Sequence, residues 1–275
     1  MTKPIRNTDV VLVIVDISGY TRFVQQRAVS LEHAEAIVTE LIESIIDQAS
    51  NPLVVNKLEG DAALLYAETL GDRRAAVTSV IGQLAQFFNA FAGSLQRIKA
   101  ARSHCSCDAC ANIGALQLKA FVHVGEIVVK QVRQFEEIAG EAVIMVHRMT
   151  KNSLPLHEYV LMTDAVYAEG GDAIRNLMQQ TETIDGVQAL LHWCDVAALM
   201  QCPAVVGALA AGESVAARSE NVASASTESA RPIAAAGVQR VAVFNNLPAA
   251  DAPAAPAGWW SRLLGRLPGR GRRTD

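Results

Sequence analysis

Residues 10–21 read Val-Val-Leu-Val-Ile-Val-Asp-Ile-Ser-Gly-Tyr-Thr, and this segment decides the fold. Its opening run of apolar, mostly β-branched residues predicts a strand that is buried on both faces of a sheet. Asp16 ends the run, and it needs a partner because burying an unpaired charge is costly. Gly19 predicts a tight turn that leads into a helix. Asp16 is therefore either the N-cap of that helix or a metal ligand at the end of a central strand.

A second carboxylate favours the metal site. Residues 56–65 read Asn-Lys-Leu-Glu-Gly-Asp-Ala-Ala-Leu-Leu, which predicts a hairpin at about 53–67 with Asp61 just past its turn. Two carboxylates on neighbouring strands suit a hard cation such as Mg²⁺, which usually takes one or two protein carboxylates together with substrate phosphates. We therefore predict that Asp16 and Asp61 share one metal site.

The rest of the folded part alternates between helical and strand patterns. Apolar residues at helical spacing predict two long helices, which start after Ser30 and Asp72 and pack on a sheet. Further elements are predicted at 116–129 (a strand broken at Gly125), after Gly140 (a short helix), at 159–162 (a strand) and at 180–193 (a hairpin or strand–helix unit). This order predicts an α/β sandwich with a mostly antiparallel sheet packed by helices.

Composition separates one domain from the rest of the chain. We predict a domain at 1–200, which contains a Cys-rich insert at 102–114. Residues 201–237 are rich in Ala and Ser and bury too little to offset their ordering entropy, which predicts a flexible linker. Residues 238–246 are a candidate late strand, and residues 247–275 form a Pro/Ala-rich and basic tail.

Charge and hydropathy argue against some classes of protein. The net charge of −4 gives no sign of a nucleic-acid partner. The N-terminus lacks the apolar core of a signal peptide, and no apolar run approaches the ~18 residues that a membrane span needs. We therefore predict a cytoplasmic protein.

The tail leaves two interpretations open. An apolar face at helical spacing consists of Trp260, Leu263, Leu264 and Leu267, and arginines follow it. The first interpretation is a short interfacial helix attracted to an anionic membrane surface or an acidic partner. The second is a disordered basic tail, since about nine helical residues are marginally stable alone.

The Cys-rich insert also leaves two interpretations open. Within seven residues it holds four ligands of the kinds that zinc prefers, His104, Cys105, Cys107 and Cys110. A typical zinc site draws on two separated pairs, so this compact group lacks a second arm unless a partner chain supplies it. The sequence is thus compatible with a zinc site and with unligated reduced thiols.

Five segments resemble, in order and spacing, the motifs of class III nucleotidyl cyclases. Residues 16–21 and 57–61 resemble the first and second metal-binding motifs, and a Lys precedes the Gly-Asp of the second. The later segments are 122–129, 140–149 and 158–166. The resemblance spans roughly residues 10–170 and implies a ferredoxin-like core. The Cys-rich insert and the run Val-His-Arg-Met-Thr-Lys-Asn resemble an uncharacterised cyclase-like family.

The resemblance implies a role for several residues. Asp16, Asp61 and the backbone carbonyl of Ile17 would bind Mg²⁺ or Mn²⁺. Lys57 and Glu137 occupy the positions that read the purine, although adenylyl cyclases carry Asp at the second of them. In the family the metal-binding Asp residues belong to one chain and the Lys and the Arg to the other, which implies a homodimer that binds a purine nucleoside triphosphate.

Arg148 matches the arginine that stabilises charge on the phosphate in the transition state, a task that suits its planar donors. The family's Asn lies one helical turn earlier, and here that position is Ile144, which cannot hydrogen-bond. Such a hydrogen-bond donor can raise the rate of the chemical step about 10²–10³-fold. Two functions are therefore open: conversion of ATP to cyclic AMP and pyrophosphate, and a degenerate cyclase fold that binds a nucleotide or partner without turnover.

Overall fold

The structure is a computed structural model, and it describes residues 5–25, 30–202 and 205. Its strands are β1 (Arg6–Ser18), β2 (Leu53–Leu58), β3 (Ala62–Glu68), β4 (Gln117–Val132), β5 (Phe135–Ala139), β6 (Tyr159–Thr163), β7 (Met178–Ile184) and β8 (Val187–Cys194). Its helices are α1 (Tyr20–Val24), α2 (Leu31–Ile46), α3 (Arg73–Ala101), α4 (Asp108–Ala111), α5 (Glu141–Met149), α6 (Asp164–Ala168) and α7 (Val196–Met200). Almost all of the predicted linker, and the whole late strand and tail, lie outside the described residues.

β1 is central because its apolar run can be buried on both faces. Residues 10–15 are each at most 1% exposed, and β1 pairs antiparallel with both β3 and β4. The sheet order is β2-β3-β1-β4-β6-β8-β7, with β5 paired to the far end of β4. β4 and β6 run parallel, whereas the other described pairs are antiparallel. This confirms the predicted α/β sandwich with a mostly antiparallel sheet.

The alternation of side chains along β1 builds two cores. Val11, Val13 and Val15 face a core that α2, α3 and α7 complete. Leu12 and Ile14 face a second core that α5 covers. Because side chains alternate along a strand, Asp16 continues the second face, the one shared with α5.

Both predicted long helices begin at the predicted caps. The Ser30 hydroxyl accepts a hydrogen bond from the His33 backbone N–H at 3.3 Å, and the Asp72 carboxylate accepts one from the Ala75 N–H at 2.9 Å. α3 is long and apolar enough, by length and composition, to cross a membrane, but 61% of its most apolar window is buried inside this domain. Such burial is typical of a core helix.

The predicted break at Gly125 is wrong, because β4 continues through this residue. Gly125 pairs with Val10 of β1, and a Cβ atom built on it would lie 2.9 Å from the Cβ of Ala142 in α5. A glycine inside a strand often marks a close approach of another element. Here the missing side chain lets α5 pack against the sheet.

His123 gives the fold a predictable dependence on pH. Its Nδ1 lies 3.0 Å from the Thr163 hydroxyl, and burial, aided by the charge of Arg73, lowers the pKa of His123 to about 4. An unfolded histidine titrates near 6.5, so the unfolded state binds more protons as the pH falls below that value. We expect the protein to lose about 3 kcal/mol of stability between about pH 6.5 and pH 4 from this group.

Urea unfolding across this pH range, with His123→Gln beside the wild type, measures the effect. The variant should lose about 3 kcal/mol less stability than the wild type over this range, whereas His104→Gln, at an exposed position, should lose as much as the wild type. Equal pH dependence in the wild type and His123→Gln would contradict the assignment.

Candidate functional site

The end of β1 opens into a cavity of about 560 Å³, which we call the carboxylate cavity. Asp16 on β1 and Asp61 in the β2–β3 turn both line it. Its wall also includes Ile17, Ser18, Gly19, Ala115, Lys119 and His157. The three residues predicted to bind a metal, Asp16, Ile17 and Asp61, are thus brought to one place.

The local backbone explains this convergence. The Ile17 N–H donates to the Asp61 carbonyl at 3.0 Å, which ties the end of β1 to the hairpin turn. Gly19 adopts a positive φ of 92°, and a Cβ built on it would lie 3.1 Å from the Ala115 carbonyl oxygen. The positive φ and the close approach of the Ala115 carbonyl oxygen both favour glycine at this position. α1 begins after Gly19 without a side-chain cap, so the N-cap alternative for Asp16 is wrong.

The two carboxylates share an environment that disfavours negative charge. Burial, reinforced by the charge of Asp61 and opposed by Lys119, raises the pKa of Asp16 to about 6. Burial also raises the pKa of Asp61. A divalent cation between two such groups would relieve both the burial cost and their repulsion. The arrangement is therefore chemically suited to bind a hard cation through oxygen atoms.

Sequence reasoning missed three further residues of this cavity. Lys119 lies opposite Asp16 in the β1–β4 ladder, and its Nζ sits 5.5 Å from the centre of the Tyr159 ring. The Ser18 hydroxyl and His157 Nδ1 are 3.2 Å apart. The sequence places Lys119 on the face of an alternating strand opposite its apolar residues, but its place beside Asp16 depends on the register between β1 and β4.

The two positions expected to read a purine lie outside the carboxylate cavity. Lys57 follows an irregularity in β2, and its Nζ lies 3.1 Å from Glu59. The other oxygen of Glu59 is 3.6 Å from His147 of α5. Glu137 lies on β5, opposite Lys130 in the β4–β5 ladder.

Arg148 also lies away from the carboxylate cavity. Its guanidinium is 3.2 Å from Asp185 in the turn between β7 and β8, beside a separate cavity of about 240 Å³. Ile144, one turn earlier on α5, is 54% exposed. Within one chain, therefore, the structure separates the predicted purine-binding and transition-state residues from the predicted metal ligands.

The Cys-rich insert contacts an unexpected histidine. One ligand atom from each of Cys105, Cys107, Cys110 and His33 lies within 4.8 Å of the other three. His104 is exposed and lies outside this group, so the predicted ligand set needs correction. The reason is tertiary: α2 packs against the insert and supplies the second arm that the sequence lacked.

A family model described as a protein of unknown function, DUF2652, matches residues 38–159. The uncharacterized protein Rv2561/Rv2562 of Mycobacterium tuberculosis is 34% identical over 171 residues, which cover 61% of this chain and 77% of that protein.

Several solved structures have a fold similar to that of this chain. The adenylyl cyclase CyaB of P. aeruginosa has a TM-score of 0.56 at 13% identity and matches 70% of this chain and 97% of its own. The guanylyl cyclase Cya2 has the same score and identity, over 70% of this chain and 93% of its own. A class III adenylyl cyclase-like ATP-binding protein from Pseudomonas aeruginosa reaches 0.50 at 16% identity, over 63% and 37%. These likenesses confirm the predicted cyclase-like fold.

Proposed function

Since this chain belongs to the same family as the mycobacterial protein Rv2561/Rv2562 and has a cyclase-like fold, we propose that it binds a purine nucleoside triphosphate together with Mg²⁺ or Mn²⁺. The observation that carries this proposal is the pair of partly buried carboxylates, Asp16 and Asp61, in one cavity at the end of the central strand. A pair of this kind matches the one or two carboxylates through which Mg²⁺ is usually held beside phosphates.

The carboxylate cavity also suits the phosphates themselves. Its volume of about 560 Å³ lies within the ~300–1,000 Å³ range of small-molecule sites. Lys119 and Arg22 line it, and their positive charges complement phosphate oxygens that the cation leaves uncovered. Asp16 and Asp61 would hold the cation, and Lys119 would orient the phosphate chain.

A second copy of the chain would complete the site. Outside the carboxylate cavity of their own chain lie Lys57, Glu137 and Arg148. This placement agrees with the class III resemblance, in which the site forms between two chains and such residues come from the chain that does not supply the metal ligands. In a homodimer, Lys57 and Glu137 of one protomer would hydrogen-bond the purine whose phosphates bind at Asp16 and Asp61 of the other.

The complete site would support conversion of ATP to cyclic AMP and pyrophosphate. The ribose 3′-hydroxyl would release its proton to water as its oxygen forms a bond to the α-phosphorus, while the bond from that phosphorus to the oxygen bridging to the β-phosphate breaks and pyrophosphate leaves with that oxygen. A bound cation supplies activation of the 3′-oxygen and charge neutralisation. Arg148 would donate hydrogen bonds to the phosphate oxygens as charge develops on them.

Ile144 favours a second candidate function, nucleotide binding without turnover. Its exposed side chain has no hydrogen-bonding group at the position where the resemblance places an Asn. Arg148, one turn later, is paired with Asp185 and would have to leave it to reach a substrate. Such a module would regulate a partner protein through a change in its own conformation when nucleotide binds.

A binding and turnover experiment on the purified full-length chain tests the proposal. Fluorescent ATP and GTP analogues are titrated with Mg²⁺, with Mn²⁺ and with EDTA, and cyclic nucleotides are measured in parallel. We expect a divalent cation to tighten ATP binding at least about tenfold, because the cation bridges phosphates and carboxylates. Equal binding in EDTA would refute the proposal, and cation-dependent binding without product would select the second candidate.

A further inference from the structure

We propose that His33, Cys105, Cys107 and Cys110 bind one Zn²⁺ ion in a closed tetrahedral site. His33 Nδ1 lies 3.5, 3.5 and 3.6 Å from the sulfur atoms of Cys105, Cys107 and Cys110. The sulfur atoms of Cys105 and Cys107 are 3.6 Å apart. Zinc bonds of about 2.3 Å to sulfur and 2.0–2.1 Å to nitrogen predict edges of about 3.8 Å between sulfurs and about 3.5 Å between sulfur and nitrogen. The observed spacings therefore fit one ion at the centre.

Hydrogen bonding alone does not account for this convergence. A neutral imidazole nitrogen either donates one proton or accepts through one lone pair, so Nδ1 cannot satisfy three thiols at once. A disulfide is also absent, because the described cysteines are free and the spacing of 3.6 Å between Cys105 and Cys107 far exceeds the bond length of ~2.05 Å. A shared cation satisfies all four ligand atoms simultaneously.

The ligand set also indicates which metal binds and what it does. Three thiolates and one imidazole form the Cys₃His set of structural zinc sites, whereas Mg²⁺ prefers oxygen ligands. Four protein ligands leave no position for water or substrate, so the ion would stabilise structure and not perform chemistry. This separates it from the proposed Mg²⁺ site at Asp16 and Asp61.

The site would connect two distant segments next to the carboxylate cavity. His33 lies in the first turn of α2, 72 residues before Cys105. Cys107 caps α4, where its sulfur accepts from the Cys110 N–H at 3.5 Å. The chain then reaches Ala115, which lines the carboxylate cavity and approaches Gly19. The ion would thus hold the Cys-rich insert on α2 and, through it, one wall of the cavity.

Metal analysis of the full-length protein tests the zinc site. Protein purified without chelator should contain about one zinc ion per chain, and the metal-free form should unfold several degrees lower, because binding energy contributes to folding. His33→Ala and Cys107→Ser should retain less than about a tenth of the zinc. The matched control, His104→Ala, should retain all of it. Absence of zinc from the wild type, or equal zinc in His33→Ala and the wild type, would overturn the proposal.

Two measurements keep the test decisive if the Ala variant fails to fold. His33→Cys creates a Cys₄ set that also suits zinc, so it should fold and keep the metal. Cobalt loaded in place of zinc should give the strong visible absorption of a tetrahedral thiolate site. If the cobalt-loaded wild type lacks this absorption, the proposed tetrahedral geometry is wrong. Neither measurement uses nucleotide, so its outcome is independent of the proposed function.

Discussion

Asp16→Asn should abolish Mg²⁺-dependent nucleotide binding while making the metal-free protein more stable at about pH 8. The amide removes the negative charge that would hold the cation, and we expect affinity for Mg²⁺–nucleotide to fall at least about 100-fold, since removing one partner of a buried charge pair costs several kcal/mol. Asp61→Asn should lose binding in the same way. The matched control is Asp172→Asn, because Asp172 is half exposed and lies outside the carboxylate cavity.

The gain in stability follows from the direction of the pKa shift. The pKa of Asp16 is raised to about 6 in the folded protein, so folding favours the protonated carboxyl. The protonated carboxyl of Asp16 therefore contributes to the free energy of unfolding, and this contribution is fully present below about pH 4. It is lost as the pH rises through 6, so that at pH 8 the ionised carboxylate lowers the free energy of unfolding by about 3 kcal/mol. Asparagine mimics the neutral form and avoids that cost.

Urea unfolding in EDTA at about pH 4 and pH 8, together with titration of Mg²⁺–nucleotide, checks both halves of this prediction. Asp16→Asn should exceed the wild type in stability at the higher pH and approach it at the lower. Retained cation-dependent binding in both asparagine variants would show that the carboxylate pair is structural.

Ile144→Asn should raise the rate of cyclic AMP formation by about 10²–10³, the value typical of one transition-state hydrogen-bond donor. Residue 144 lies one helical turn before Arg148 on α5, so an amide there would point to the same side as the guanidinium. The position is 54% exposed, and a surface substitution usually changes stability by less than about 0.5 kcal/mol. A change in rate would therefore not reflect unfolding.

The comparison needs two matched variants. Ile144→Ala removes the apolar side chain without adding a donor, and it should leave turnover at the wild-type level. Adding Arg148→Ala to Ile144→Asn should remove the gain, because the new donor acts beside that guanidinium. If both Ile144→Asn and the wild type bind Mg²⁺–nucleotide normally and neither forms cyclic AMP, the chain is a binding module and the catalytic proposal is wrong.

The sequence by itself determined the features that depend on neighbours in the chain. The apolar run ending at Asp16 predicts a central strand because a strand buried on both faces has no polar alternation. Ser30 and Asp72 predict helix starts because a cap bonds an N–H only a few residues away. Asp61 was expected near Asp16 from the resemblance to the two metal-binding motifs, because the hairpin itself joins only β2 to β3 and the pairing of β1 with β3 brings Asp16 opposite Ala62.

Tertiary structure alone decided the features that depend on packing between distant segments. Lys119 reaches Asp16 through the register of β1 with β4, and Gly125 continues its strand because α5 approaches there. His33, not His104, joins the cysteines because α2 lies against the Cys-rich insert. Adjacency in sequence favoured His104, but a closed tetrahedral site requires ligands to approach from different directions, and seven consecutive residues cannot easily supply them. The fold provides the missing direction from a helix 72 residues earlier.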